Sequence, residues 1–128
     1  MEKKFVKAGQ LKAGNFVLID DVACKIVSFD KSKAGKHGSA KARIMGIGIF
    51  DGTKRTLLIP TAADAAQPII KRGSAQVVAV MGDSLQLMDM ESYENFTVPY
   101  QKEVGELQGG DEVEYMKLDE NVKVVRKK

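Results

Sequence analysis

The sequence predicts an all-β protein built as two small units, and three observations carry that prediction. Turn-forming residues recur at intervals of roughly eight to twelve residues, the spacing of short strands in barrels and sandwiches. The runs between them are rich in Val, Ile and Phe, as strands are. Charge is divided unevenly. Residues 1–70 carry 12 Lys/Arg against 6 Asp/Glu, a balance of +6, whereas residues 71–128 carry 8 against 11, a balance of −3. That split separates a unit that faces an anion from one that does not. Each unit would hold about 60–70 residues, a size at which burial is marginal and a compact barrel is a common solution.

Taken in chain order, Phe16–Ile19 is a short apolar strand ended by Asp20-Asp21. Val22–Phe29, β-branched and aromatic, is the next strand. Arg43–Phe50 alternates around Gly46 and Gly48, and Asp51-Gly52 is a strong hairpin signal. Thr53–Ile59 returns and stops at Pro60. The Ala-rich piece Thr61–Gln67 is too short to hold a helix unaided and is expected to be a turn or loop. Pro68 and then Lys71-Arg72-Gly73-Ser74 mark the boundary, giving units 1–70 and 71–128. In the second unit, strands are expected at Gln76–Met81, Leu85–Met90, Asn95–Val98, Glu112–Leu118 and Val122–Arg126. Gly82-Asp83, Pro99, Gly109-Gly110 and Asp119–Asn121 separate them. Five short strands in so few residues predict a five-stranded barrel such as the OB-fold.

The segment Lys31 to Arg43, KSKAGKHGSAKAR, holds five cationic side chains and no acid. Its positives are symmetric about His37, with Lys33 and Lys41 four residues either side and Lys31 and Arg43 six either side. In an antiparallel hairpin centred on His37, Lys31 and Lys33 share a face, as do Lys41 and Arg43. Like charges would then oppose one another, which destabilises the pairing. An external polyanion would reward it. At the centre, Gly35 and Gly38 flank Lys36 and His37, removing side-chain bulk and permitting φ > 0. A lysine presented in this way can enter a deep cleft in another macromolecule, either a modifying enzyme or an RNA pocket. His37 is either a solvated imidazole or an auxiliary hydrogen-bonding group beside Lys36.

Other chemistry is excluded on spacing. A phosphate-binding loop would need glycine at Asp30 and a hydroxyl residue at His37. Gly46-x-Gly48 fails as a dinucleotide fingerprint because Asp51 stands where the third glycine belongs, so a bulge or close backbone approach is expected there. One histidine and one cysteine, Cys24, make no recognisable metal spacing. Cys24 lies in an apolar run and reads as a buried structural thiol in a reducing compartment. Glu112 and Glu114 alternate as an exposed strand face does. No targeting peptide or apolar run long enough to span a bilayer is apparent, so a soluble, cytoplasmic protein with no membrane partner is expected.

Several pieces together resemble the translation initiation factor 5A family in its archaeal form, related to bacterial elongation factor P. They are Cys24-Lys25-Ile26-Val27, Ser32-Lys33-Ala34-Gly35-Lys36-His37-Gly38, Ala40-Lys41, Gly46-x-x-Ile49-Phe50-x-Gly52 and Pro68-Ile69-Ile70-Lys71-Arg72. The resemblance implies an SH3-like barrel followed by an OB-fold. It implies no catalysis and no bound cofactor. Lys36 would become hypusine or deoxyhypusine when deoxyhypusine synthase transfers an aminobutyl group from spermidine, and Gly35, His37 and Gly38 would present it. The implied partners are the ribosome, its RNA and peptidyl-tRNA, with Lys31, Lys33, Lys41 and Arg43 meeting phosphate. The implied role is promotion of peptide-bond formation at stalls such as proline runs. Ser39 stands where eukaryotic members have a second histidine. Two other readings use the same residues: an unmodified RNA-binding module of a ribosomal or assembly protein, and an enzyme with Lys36 as Schiff-base nucleophile. The latter requires a desolvated lysine, which a glycine-flanked tip among other cations supplies only in part.

Overall fold

The computed structural model describes residues 2–32 and 40–128. The chain divides into two compact units, Met1–Ile69 and Ile70–Lys128. Both are built from strands, in agreement with the expected all-β fold of two small barrels, SH3-like and then OB-like.

The first unit holds β1 (Lys3–Lys7), β2 (Phe16–Ile19), β3 (Val22–Ser32), β4 (Lys41–Gly48), β5 (Lys54–Pro60) and β6 (Asp64–Pro68). Strands β2 to β5 form an antiparallel meander, and β1 pairs with β6 in a separate two-stranded ladder. The β2–β3 connection is the two residues Asp20 and Asp21, both with positive φ (52° and 62°), as the right-handed twist of a tight hairpin demands. The inward rows of the strands supply Val17, Ile19, Cys24, Ile26, Ala42, Ile44 and Ala65 to one core, which Ala8 and Leu11 join from the segment between β1 and β2. The β4–β5 turn is held by Asp51, whose carboxylate accepts from Thr53 N at 2.9 Å and from Arg55 Nη2 at 3.0 Å. Those bonds, Arg55 first, hold the Asp51 carboxyl below its ordinary value.

The Ala-rich piece expected to be a turn or loop supplies all of β6 except Pro68. Its residues gain strand geometry because β1 runs beside them, with Phe5 opposite Ala66 and Lys7 opposite Asp64. The Lys7–Asp64 ion pair at 2.9 Å closes one end of the ladder.

The second unit holds β7 (Lys71–Met81), β8 (Ser84–Asp89), β9 (Asn95–Pro99), β10 (Glu112–Leu118) and β11 (Asn121–Lys127). They form a single sheet in the order β11-β10-β7-β8-β9. Its core is Ala75, Val77, Leu85, Leu87, Val98, Leu107, Val113, Tyr115 and Val124. The stretch Lys71–Ser74, expected from sequence to mark the boundary ahead of a strand at Gln76, is itself the start of β7. Its backbone is paired along β10, with Gly73 directly opposite Tyr115. The phenol ring lies over Gly73 so closely that a Cβ there would sit 2.6 Å from it. Gly73 is therefore a packing glycine. Between β9 and β10, the Tyr100 hydroxyl donates to Gly105 O at 2.8 Å and accepts from Leu107 N at 2.7 Å, tying down the connection.

Beyond Gly73, the Tyr115 hydroxyl donates a hydrogen bond to the buried carboxylate of Asp89. Asp89 also accepts from the backbone N–H groups of Glu91 and Ser92, both at 2.8 Å. The Tyr115 bond first, then the backbone donors, pull the Asp89 carboxyl from 3.8 down to about 2. Burial first, then the facing carboxylate, push the Tyr115 phenol from 10.0 up to about 12.

These shifts predict pH limits for the second unit. The depressed Asp89 contributes stability above pH 3.8 that is lost as pH falls toward about 2. The raised Tyr115 contributes below pH 10 and is lost as pH rises toward about 12. Tyr115→Phe should remove the alkaline component and shrink the acid one, at a cost of about 1–2 kcal/mol near neutrality. Urea midpoints measured across pH check this. Each unit is also expected to fold alone: fragments 1–69 and 70–128 should each show one cooperative unfolding transition by circular dichroism.

A basic hairpin as candidate nucleic-acid interface

The β3–β4 ladder begins with Cys24 opposite Gly48 and ends with Ser32 opposite Lys41. It is the longest ladder of the first unit, and in the sequence the segment 33–40 joins its two strands. Residues 33–39 lie outside the described residues, so Lys33, Gly35, Lys36, His37 and Gly38 are not placed. Lys31, Lys41 and Arg43 are placed, and all three are exposed.

Why the strands pair in this register is legible in burial. Along β4, Ala42, Ile44, Gly46 and Gly48 are buried while Lys41, Arg43 and Ile47 are exposed. The inward row ends in two glycines, and at the first of them, Gly46, the strand passes close to β3. A Cβ on Gly46 would lie 2.9 Å from Cys24 Cβ and 3.3 Å from Ile19 Cδ1. The close approach expected at this glycine pair is present. Cys24 itself is fully buried, and burial raises its thiol pKa, as befits a structural residue.

A bulge on β3 between Ile26 and Ser28 adds Val27 without a partner of its own. It sets the phase of everything beyond it. Ile26 and Phe29 are three residues apart, an odd spacing that would place them on opposite faces of a regular strand. With the bulge, Phe29 lies opposite Ile44 and packs half-buried against the core.

The resulting register corrects the charge symmetry read from sequence. A hairpin centred on His37 would oppose Lys31 to Arg43. The observed ladder is offset by one residue: Lys31 faces Ala42, Asp30 faces Arg43 and Ser32 faces Lys41. Like charges are not opposed among these residues. Instead Lys41 and Arg43 lie on the outer face with Asp30 and Ser32, while Lys31 lies on the face of Ala42 and Ile44. Its ammonium stands 5.8 Å from the centroid of the Phe29 ring. The reason is that burying Ala42 and Ile44 fixes the face of every residue on the strand, whatever the charges prefer.

The root of the hairpin is tied on both sides. Ser32 Oγ donates to Lys41 O at 3.5 Å, and Ala40 O accepts both the backbone N–H of Thr61 at 2.9 Å and its hydroxyl at 3.3 Å. Thr61 is in turn fixed by Gly9 N, which donates to its carbonyl at 2.9 Å. Thr61, Gly9 and Phe29 support the end of the ladder, and the sequence reading gave none of them that part. Thr61 meets Ala40 across 21 residues, a contact with no local signal.

Among the described residues no group of His, Cys, Asp or Glu is arranged to hold a metal ion, and no helix is long and apolar enough to cross a membrane. Two all-β units, the first with exposed Lys31, Lys41 and Arg43 at the end of its longest strand ladder, define the class of protein. The family model described as "Translation initiation factor 5A-like, N-terminal" matches residues 2–63. The translation initiation factor 5A of Pyrobaculum neutrophilum is 47% identical over 132 residues, covering 100% of both chains. That of Methanopyrus kandleri is 51% identical over 125 residues, covering 95% of this chain and 92% of its own. Among solved structures, eukaryotic translation initiation factor 5A from Methanococcus jannaschii superposes with a TM-score of 0.93 at 44% identity, covering 98% of this chain and 95% of its own. A member of the same family from Naegleria fowleri gives 0.78 at 30% identity, covering 100% and 99%. The chain belongs to the translation initiation factor 5A family, whose members are translation factors and not enzymes.

Gly46→Val tests the close approach that holds the stem. It should push β4 away from Cys24 and Ile19 and cost about 1–3 kcal/mol. The loss would be read as a lowered denaturant midpoint.

Proposed function

We propose that this translation factor binds the ribosome and promotes peptide-bond formation at stalled sites, proline runs among them. In this reading it places a hypusine or deoxyhypusine side chain, made from Lys36, beside the acceptor end of peptidyl-tRNA. The observation that carries the reading is the β3–β4 ladder. It ends at Ser32 and Lys41 and is anchored in a packed core, and the Gly35-Lys36-His37-Gly38 sequence between those two residues would be carried at the end of that stem. Membership of the family, matched along nearly all of the chain, supports it.

The physical chemistry is consistent. Deoxyhypusine synthase would join the aminobutyl group of spermidine to the Lys36 ε-amine, adding roughly 6 Å of reach at ordinary bond lengths. It would also add a second protonatable amine. A slim dication can follow an RNA backbone into a cleft too narrow for a loop. Lys31, Lys33, Lys41 and Arg43 would contact phosphate, which positions without reading sequence. His37 would sit beside the modified lysine, and Ser39 would leave the place of the second eukaryotic histidine without an imidazole. The factor would act in the cytoplasm by orienting a substrate held by another catalyst. It would need no bound cofactor.

The intact mass of protein from its native host is expected to exceed the sequence mass by one aminobutyl group, with or without one oxygen. An unmodified mass favours the RNA-binding module instead. Kinetics separate the tip from the stem. Lys41→Ala should weaken ribosome binding and lower the slope of log affinity against log salt by roughly 0.7–0.9, with activity recovered at high factor concentration. Lys36→Arg keeps a charge but cannot accept the aminobutyl group. Stimulation of synthesis through a proline run should fail even at saturation, and full activity there would refute the modified-lysine mechanism.

A further inference from the structure

We infer that the hairpin stem is a two-sided wedge, held between two separate phosphate-bearing segments of RNA, with Lys31 serving one face and Lys41 and Arg43 the other. The inference rests on the reading that these cations meet RNA. It goes beyond that reading by assigning each cation a different wall. The register carries it. Residues directly opposite in an antiparallel pair project to the same face. Arg43 therefore shares a face with Asp30, Lys41 with Ser32, and Lys31 with Ala42. All three cations are exposed, yet they leave the ribbon in opposite directions.

A single RNA surface laid against the outer face would reach Lys41 and Arg43 and leave Lys31 behind the backbone. Side chains on the two faces of a strand pair point in opposite directions, so a phosphate seated on Arg43 is not in the direction in which Lys31 leaves the backbone. Beside Lys41 and Arg43 the outer face also carries Asp30, which lies opposite Arg43 and offsets part of their charge. Lys31 is aimed by the half-buried Phe29 beneath it, its ammonium 5.8 Å from the ring centroid. Being exposed, it keeps its donors available to an anion.

The alternative is that Lys31 only covers Phe29. Lys31→Met separates the two, since methionine keeps apolar contact with the ring and removes the charge. Binding of the modified protein to purified ribosomes from its native host would be measured against salt for Lys31→Met, Lys31→Arg and Arg43→Met. Both methionine variants should lower the salt slope by roughly 0.7–0.9, and Lys31→Arg should restore it. In parallel, Lys31→Cys and Arg43→Cys would be labelled with an aryl azide and photocrosslinked to the ribosomes. Cys24 is fully buried and contributes no background. Crosslinks from the two positions should map to different RNA segments. An unchanged slope for Lys31→Met, or no RNA crosslink from position 31 while position 43 crosslinks, overturns the wedge and leaves one-sided RNA contact standing. Crosslinks from both positions to the same nucleotides overturn it equally. RNA crosslinks from neither position would overturn both the wedge and the reading beneath it.

Discussion

The inward row of β4 is the constraint on which the first unit depends. Ala42, Ile44, Gly46 and Gly48 must face the core, and no other alignment against β3 achieves that. A slip of one residue would turn Arg43 and Lys41 inward, and an unpaired buried charge costs far more than any surface contact returns. The bulge at Val27 is the local adjustment that lets Phe29 join the same core. Which cation faces which side of the hairpin is therefore a consequence of apolar packing, and charge plays no part in choosing it.

The two units handle charge in opposite ways. In the second, cations are set against acids on the same sheet. Arg126 meets Glu114 at 2.7 Å, Arg72 approaches the same carboxylate at 3.8 Å, Lys117 meets Glu94 at 3.6 Å and Lys127 meets Asp111 at 3.4 Å. Such surface pairs add little stability, but they leave that unit with little free positive field. Its rigidity comes from elsewhere, in the stack of Tyr115 over Gly73 and the bond from that ring to Asp89. Among the described residues no buried side-chain polar atom lacks a partner. In the first unit the stem cations project to solvent from a packed scaffold, where an anion can reach them.

A rigid stem matters for the proposed role. A factor that works by orientation gains nothing from a tip whose base moves freely, because the entropy of positioning must be met before the substrate is held. The ties from Ser32 to Lys41 and from Thr61 to Ala40 restrain the two strands where the tip leaves them. Thr61 is held by Gly9, and Ala8 N donates to Ala63 O at 2.9 Å, so the root is braced by the chain before β2 as well.

Local chemistry alone determined a great deal about this protein. The β-branched runs marked most strands, Glu112–Leu118 with its observed ends, and Asp51-Gly52 and Gly82-Asp83 marked turns. The glycine-flanked Lys36 and its basic neighbourhood pointed to the family before any fold was known. Tertiary structure decided what depended on partners distant in the chain. Asp64–Pro68 became a strand because β1 lies beside it, and Lys71–Ser74 joined β7 because β10 pairs with it and Tyr115 covers Gly73. The placement of Lys31 apart from Lys41 and Arg43 followed from a register that charge symmetry had suggested wrongly by one residue. A turn or an apolar run is encoded by adjacent residues. Register is encoded by which side chains a core must bury, and that is known only once the strands have met.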